Sequence, residues 1–580
     1  MTAPSVAHHA PIADFIADID TLAADVMADW KVPGATLAVV HDGKLVLLKA
    51  YGERDVEAKL PMTTSTQFLI CSITKSFTAT AVALLHNEGR IDWLKPVRDY
   101  VPEFRLSDAV ATERVTVLDM LSHQSGLPRH DWVHFAGDRA ASEMLAPMQH
   151  LELSKDVRAA WQYNNLCYNV LGLLIERVRG QSYESFIRTR LADKLGMKVS
   201  FTLEDLEASA EPATPYMMHE DTRLKAMRLP ITTIAGGAIN TTVADLANWM
   251  LLHLGKGEFD GQRLLPAALV AELHAPRARN TNPGFDEFGE QHYGLGFQCL
   301  SYRGDRVVLH GGGWPGWGTL MTLVPDSNIG VAVFTNRSPS EVPQTLTWYI
   351  VDRLRGRDPV DWRERFRKRR DELVANMAAA EEGRLKGRKS GTQPAHPLTA
   401  YAARYAHPAY GVMSIEEQGG ALNWAWRGMY SMLEHRHFET FETPLIPDRL
   451  HPDRLAITFL TDRDGNIVSL SAPLEPMVKD IVFTRLAGGE CTDPAFRKAC
   501  TGVYRMPPQT HDVTLDDEGN LSLKTDFQPT WHLAPHQGRT FRIRELEGFF
   551  IEFSGEGASV DELISHQPNG TFVARRVKEP

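Results

Sequence analysis

"FLICSITKSFTATAVALL", residues 68–85, sets a serine and a lysine three positions apart where a strand-like run passes into a helix-like one. Most of the stretch reads as a core helix, so Ser72 and Lys75 at its head need a reason. On a helix, residues i and i+3 share a face, which brings the Lys75 amine beside the Ser72 hydroxyl, and a helix N-terminus favours negative charge there. A lysine in a partly desolvated pocket loses affinity for its proton and can act as a base at neutral pH. The pair has the form of an activated nucleophile. S-x-x-K alone is weak, since a chain of 580 residues holds about one or two by chance. Cys71 projects about 100° away round a helix and is expected to pack.

Two further stretches change the weight of the first. "WQYNNLCYNVLGLLIERV", 161–178, carries Tyr163 and Asn165 as Y-x-N at the entry of a helix with apolar positions at helical spacing. "VVLHGGGWPGWG", 307–318, ends a predicted strand with His310 followed by Gly311, Gly312 and Gly313. It is no phosphate loop, because the P-loop pattern and its lysine are absent.

Composition narrows the class. At 580 residues and 43% hydrophobic content the chain can bury a large core, in two to four domains. A net charge of −11 gives no general attraction to nucleic acid, and the basic run "WRERFRKRR", 362–370, is interleaved with Glu364 and followed by Asp371 and Glu372, as on a solvated helix. No apolar run reaches the roughly 18 residues of a membrane span, and the opening "MTAPSVAHHAPIADFIADID" lacks the basic and apolar regions of a signal peptide, so a cytoplasmic protein without membrane partners is expected. The five cysteines have no metal-ligand spacing and read as reduced thiols, and "HRH" at 435–437 lacks further ligands, so no metal is expected.

Along the chain, an amphipathic helix at 11–30 precedes "GATLAVVHDGKLVLLKAYG", a hairpin around Asp42-Gly43. Residues 72–290 are mainly helical, including "VTVLDMLSHQSGLP" with Thr116 as N-cap, and strands return at 293–336. Two strands in front and several behind predict an α+β domain whose antiparallel sheet is assembled from both ends. A charged helix leads to "GRKSGTQPAHP", a linker. Beyond it "YAARYAHPAYGVMSIEEQGGALNWAW" resembles "CTGVYRMPPQTHDVTLDDEGNLSLKT": Tyr405 and Tyr504 lie 99 residues apart, as do Leu422 and Leu521. The expected layout is an α+β domain at 1–360, a helical linker at 361–394 and two all-β, barrel-like modules at 395–487 and 488–580.

Together, and in this order, the three motifs resemble the serine β-lactamase and penicillin-binding protein superfamily, in its class C-like branch with D-aminopeptidases, DD-carboxypeptidases and related esterases. "VTVLDMLSHQSGL", "IAGGAINTTVADLANWM", "YGLGF" and "LVPDSNIGVAVFTN" are similar to recurring landmarks of that family, extending the match over 15–355. Where class A enzymes carry S-D-N and K-T-G, this chain has Tyr163-Asn164-Asn165 and His310-Gly311-Gly312.

The resemblance implies a serine hydrolase working through an acyl-enzyme, with no metal or organic cofactor. Ser72 would attack, Lys75 and Tyr163 would share the proton, and Asn165 would orient Lys75 and the substrate amide. The oxyanion would lie between the backbone N–H groups of Ser72 and Gly313. His310 would stand near the Tyr163 oxygen or the substrate and titrate around pH 6 to 7. Gly311, Gly312, Trp314 and Trp317 would line the substrate, with Trp132 and Trp161 close by, while His123 and Asp245 would be structural. The preferred substrate is a short peptide, including D-residue, unusual or linearised cyclic peptides. An esterase or β-lactamase of the same fold is the alternative, and a non-catalytic binder the remote one. The β modules, which contain none of the motifs, would wall the cleft and mediate homodimer contacts, leaving residues 1–385 able to fold and hydrolyse a small ester.

Overall fold

The computed structural model describes residues 12–135, 139–219, 222–226, 228–280, 284–444, 454–555 and 559–577. Residues 1–11, on which the reading of a leader rests, lie outside them. The first helix, α1 (Ile16–Asp29), follows a short 3-10 turn. Asp42 and Gly43 both take positive φ, 49° and 75°, which gives the tight turn the twist that antiparallel strands need. That turn joins β1 (Gly34–His41) to β2 (Lys44–Asp55).

The late strands complete the sheet. They are β3 (Gln298–Tyr302), β4 (Asp305–Trp314), β5 (Trp317–Val324) and β6 (Ile329–Thr335). β6 pairs antiparallel with β1 from Ala35↔Thr335 to His41↔Ile329, so the two ends of the domain meet in mid-sheet. The order across nine strands is Ala278–Arg279, His292–Tyr293, β3, β4, β5, β6, β1, β2 and Leu60–Pro61. This is the α+β arrangement expected from the sequence.

Helices cover both faces. α1 packs on one side with Val342–Leu354 and the start of Trp362–Lys386, around Ile19, Val39, Tyr302, Trp348 and Trp362. On the other lies the helical layer: α2 (Thr74–Asn87), α3 (Asn165–Arg179) and α4 (Val243–Leu254). α2 is buried from Thr74 to Leu85 on every side, which its even spread of apolar residues allows. Two of its polar side chains find partners inside the protein. Ser76 donates to the Ile73 carbonyl at 2.7 Å and accepts from Trp249 Nε1 at 3.1 Å, and Thr78 Oγ1 donates to the Ala235 carbonyl at 2.6 Å. Thr116 caps its helix as expected, accepting from Asp119 N at 3.2 Å.

Beyond the 25-residue helix Trp362–Lys386 stand two closed, eight-stranded antiparallel barrels, within 403–485 and 502–576. The repeat is visible atom by atom. Tyr405 donates to the Tyr401 carbonyl and Tyr504 to the Cys500 carbonyl, both at 2.8 Å, while Leu422 and Leu521 are each 1% exposed inside their barrels.

The two barrels differ in how they attach. The first shares one contiguous core with the helical layer, running from Leu127 and Val133 to Tyr410, Trp426 and Phe483; the second has its own, around Tyr504, Phe541 and Phe553. A chain cut at residue 385, expected to fold and hydrolyse a small ester, would uncover the faces that Tyr410 and Trp426 cover. Two such aromatic side chains stabilise by roughly 1.5–3 kcal/mol each. A chain ending at Leu486 should melt cooperatively near the full-length temperature, whereas one ending at Lys386 should melt about 5 °C lower or more. Circular-dichroism melts of the two truncates decide this, and equal melting temperatures would disprove the shared core.

Candidate active site

Ser72 stands on a 3-10 turn, Cys71–Ile73, immediately ahead of α2 rather than on the helix itself. Cys71 takes φ +50°, a left-handed conformation that costs a β-carbon-bearing residue about 1 kcal/mol. The turn lies directly beneath β4. A Cβ on Gly312 would stand 2.4 Å from the Ile70 carbonyl oxygen and 2.8 Å from Cys71 Cβ, so only glycine lets β4 approach so closely. Gly311 has ordinary clearance, 3.7 Å, and Gly313 faces open space. Of the three glycines, Gly312 alone is required sterically.

Lys75 has no exposed surface, whereas Ser72, Tyr163 and Asn165 are half-buried. Its Nζ lies 3.2 Å from Ser72 Oγ, 2.8 Å from Asn165 Oδ1 and 2.6 Å from the Gly236 carbonyl, and 4.8 Å from the centre of the Tyr163 ring. The Ser72 side chain lies near enough to the Tyr163 hydroxyl to favour its ionised form, against the larger opposing effect of burial. The sequence motifs S-x-x-K and Y-x-N thus meet at one hydroxyl. Asn164 aligns α3 for this: its side chain caps the helix at Cys167 N, 2.8 Å, and its own N–H donates to His123 Nδ1 at 3.1 Å.

Burial sets the electrostatics. Desolvation first, and then the nearby Arg129 charge, hold the Lys75 pKa well below its usual 10.5, while Asp131 acts in the opposite sense. Burial pushes the Tyr163 phenol up and keeps it protonated. It does the same to the Cys71 thiol, which suits that residue to packing.

His310 and Trp317 are corrected. The His310 ring is 1% exposed, with Nδ1 donating to the Gly311 carbonyl at 2.7 Å and Nε2 accepting from the Tyr293 hydroxyl at 2.9 Å. Burial and the neighbouring Lys75 lower its pKa to about 3, so it is neutral throughout the range in which titration was expected. Its ring meets that of Tyr163, centroids 6.4 Å apart, and its bond to the Gly311 carbonyl supports that part of β4. Trp317 is 3% exposed and packs edge-on against Phe68 in the core. Trp314 is half-buried, its Nε1 donating to the Leu229 carbonyl at 3.0 Å.

Sequence reasoning missed the loop after "SGLP". Arg129 Nε donates to Asp131 Oδ2 at 2.6 Å, Asp131 Oδ1 accepts from Asn165 Nδ2 at 3.2 Å, and the Arg129 guanidinium lies 5.0 Å from the Tyr163 ring centre. The signal available was "RHD", three polar residues in a row directly after a predicted helix stop. The same loop begins a row of rings. Trp132 lies 5.5 Å from Trp426 of the first barrel and 5.8 Å from Phe135, which stacks on Trp314 at 4.8 Å.

A serine, a desolvated lysine and a tyrosine thus stand together against a glycine-bearing strand. A family model described as Beta-lactamase matches residues 19–355, and the chain belongs to the beta-lactamase family; it is a serine hydrolase of that fold. A second model, Domain of unknown function (DUF3471), matches residues 387–485. Among relatives, the unguisins hydrolase ungD' of Aspergillus campestris is 30% identical over 415 residues, 67% of this chain and 75% of its own length. Protein flp of Staphylococcus aureus is 26% identical over 333 residues, 57% of this chain and 64% of its own. An octameric penicillin-binding protein homologue from Pyrococcus abyssi superposes with a TM-score of 0.53 at 23% identity, covering 81% of this chain and all of the other.

The glycines give a sharp test. Gly312→Ala should abolish turnover or cost several kcal/mol of stability, about what overpacking against immovable backbone costs, whereas Gly311→Ala should melt within about 0.5 kcal/mol of wild type. Paired melting curves and rates settle it, and a benign Gly312→Ala would refute the close approach.

Proposed function

We propose that Ser72 is the nucleophile of an acyl-transfer reaction to water and that the substrate is a short peptide or peptide amide. The observation that carries the peptide reading is the strand edge beside Ser72. Pairing between β3 and β4 ends at Gln298↔Leu309, which leaves His310 to Trp314 without a partner strand on that side among the described residues. An extended peptide can add there as a strand, its backbone reading β4 and its side chains meeting Trp132, Phe135 and Trp314. The relative named as a hydrolase of unguisins supports the same choice of substrate class over a β-lactam. Peptides with D- or otherwise unusual residues, or linearised from a ring, are the members of that class to test first.

The mechanism follows from the protonation states. As a neutral amine, Lys75 donates its two hydrogens to Asn165 Oδ1 and the Gly236 carbonyl, leaving its lone pair facing the Ser72 hydroxyl at 3.2 Å. Ser72 Oγ attacks the acyl carbon as its proton passes to Lys75 Nζ. The oxyanion is received by the N–H groups of Ser72 and Gly313. Tyr163, protonated and in contact with Ser72, gives its proton to the leaving amine and is reprotonated from Lys75. Water then attacks the acyl-enzyme by the reverse relay and releases the acid. Asn165 holds the amine in place throughout. No step draws on a metal or organic cofactor.

A chromogenic panel of D-alanyl amide, L-peptide amide, short ester and cephalosporin tests the reading, with the amides expected to turn over. Hydrolysis of the ester alone would make the protein an esterase, and turnover of none would make it a binder. A fluorophosphonate should leave one adduct, on the Ser72 peptide. Lys75→Ala and Tyr163→Phe should each lower kcat about 10²-fold or more, and the double variant little further, because the two act as one unit.

The pH profile should show one acid limb, from Lys75. The amine works as a base only when deprotonated, so the rate falls as pH drops through its pKa, which lies well below 10.5. His310→Asn should leave that limb where it is, since His310 is already neutral there.

A further inference from the structure

The loop that carries Arg129 and Asp131 is bonded from outside the hydrolase domain at His130 and Trp132. Between Arg129 and Asp131, His130 takes φ 45° and ψ 39°, a left-handed conformation that is costly for a residue other than glycine and persists only when its surroundings fix it. Two of the three fixing groups come from the first barrel. The His130 N–H donates to Glu475 Oε2 at 2.8 Å, and His130 Nδ1 accepts from the Tyr410 hydroxyl at 2.6 Å, while Nε2 donates to the Glu152 carbonyl at 2.9 Å. Glu475 is only 4% exposed, and its other oxygen accepts from Met477 N at 3.1 Å. Burying a carboxylate is expensive unless hydrogen bonds compensate, and here the His130 and Met477 N–H groups supply them. Two more ties follow the same loop: Arg139 Nη1 donates to the Ala409 carbonyl at 2.6 Å, and Arg427 Nη1 donates to the Trp132 carbonyl.

We propose that the first barrel, the region matched by the model of unknown function, is a working part of the active site: Glu475 and Tyr410 are positioning residues that fix the His130 turn and so hold Arg129 and Asp131 against Lys75 and Asn165. The inference rests on the reading of Lys75 as the base. The chain of contacts is continuous, from Glu475 and Tyr410 through His130 to the Arg129–Asp131 pair, then to Asn165 and Lys75.

The groups facing the Lys75 amine are Arg129 and Asp131 from this loop, Ser72 and Cys71 from the turn before α2, Tyr163, Asn165 and Tyr168 around the start of α3, His123, and His310 from β4. Of these, Arg129 and Asp131 are the ones the barrel holds. Freeing the loop removes the repulsion of Arg129, the larger of the two charge effects, and admits water. Both changes let Lys75 keep its proton more strongly, so the acid limb should move to higher pH.

The experiment uses the full chain and the substrate found by the panel. Glu475→Gln and Tyr410→Phe should each lower kcat about tenfold or more, with KM changed less, and shift the acid limb upward. Arg129→Ala should shift the limb in the same direction, and the double variant Arg129→Ala with Glu475→Gln should go little further. Phe441→Leu, in the same barrel but out of contact with the loop, controls for lost stability and should leave the limb in place. Tyr410→Phe removes a single hydroxyl and serves alone should Glu475→Gln fail to fold. Wild-type kcat and pH profile in the positioning variants would overturn the proposal, as would an equal shift in Phe441→Leu, or multiplicative losses in the double variant. Ser72→Ala is measured alongside: turnover surviving there would fault the assignment of the nucleophile itself and not only the role of the barrel.

Discussion

A lysine amine with no exposed surface, at the head of a helix buried all round, is the constraint around which the helical layer is arranged. Such a group cannot stay charged without compensation, and its oxygen partners are the Asn165 side chain, the Gly236 carbonyl and the Ser72 hydroxyl. Each comes from a different segment. α3 must start where Asn165 can reach, the 234–237 turn must present its carbonyl, and the strand bearing Gly312 must press on the Ser72 turn to exclude water. Gly296 serves the same packing from another side, since a Cβ there would stand 2.6 Å from the Lys75 carbonyl oxygen. The depressed proton affinity of the amine is thus a product of the whole layer's packing and not of any one neighbour.

The parts of this site that were legible in the sequence are those whose chemistry is local. Ser72 and Lys75 are three residues apart, and Tyr163 and Asn165 two, so periodicity alone puts each pair on a shared face or at one helix entry. Residue type does not report depth, which is why His310 and Trp317 misled. A histidine at a strand end titrates near neutrality when wet, but here both ring nitrogens are engaged and the ring is dry. Trp314 and Trp317 pair directly across a hairpin, yet only the former stays at the rim. The glycine run likewise concealed that one Cβ would collide and its neighbours would not.

Contacts between distant segments that no motif marks were beyond reach. His130 and Glu475 are 345 residues apart, and nothing in either local pattern announces the other. The loop "RHD" could be read only as the end of a helix, because the groups that give its left-handed turn a purpose belong to another domain.

The internal repeat invited a further simplification, that two similar modules do similar work. Their scaffolds do agree, in the closed eight-stranded topology and in the tyrosine that reaches back to the fourth residue before it. The surfaces do not. Carrying the 99-residue register through, the positions of Tyr410 and Trp426 in the first barrel fall on Gln509 and Thr525 in the second. Neither replacement can supply an aromatic ring to Trp132. Duplication preserved the residues that close a barrel, which every copy needs, and left free those that meet a neighbour. The first copy carries the buried carboxylate, the phenol and the indole that meet His130 and Trp132. The divergence between the repeats therefore carries the functional information, and their similarity reports the fold.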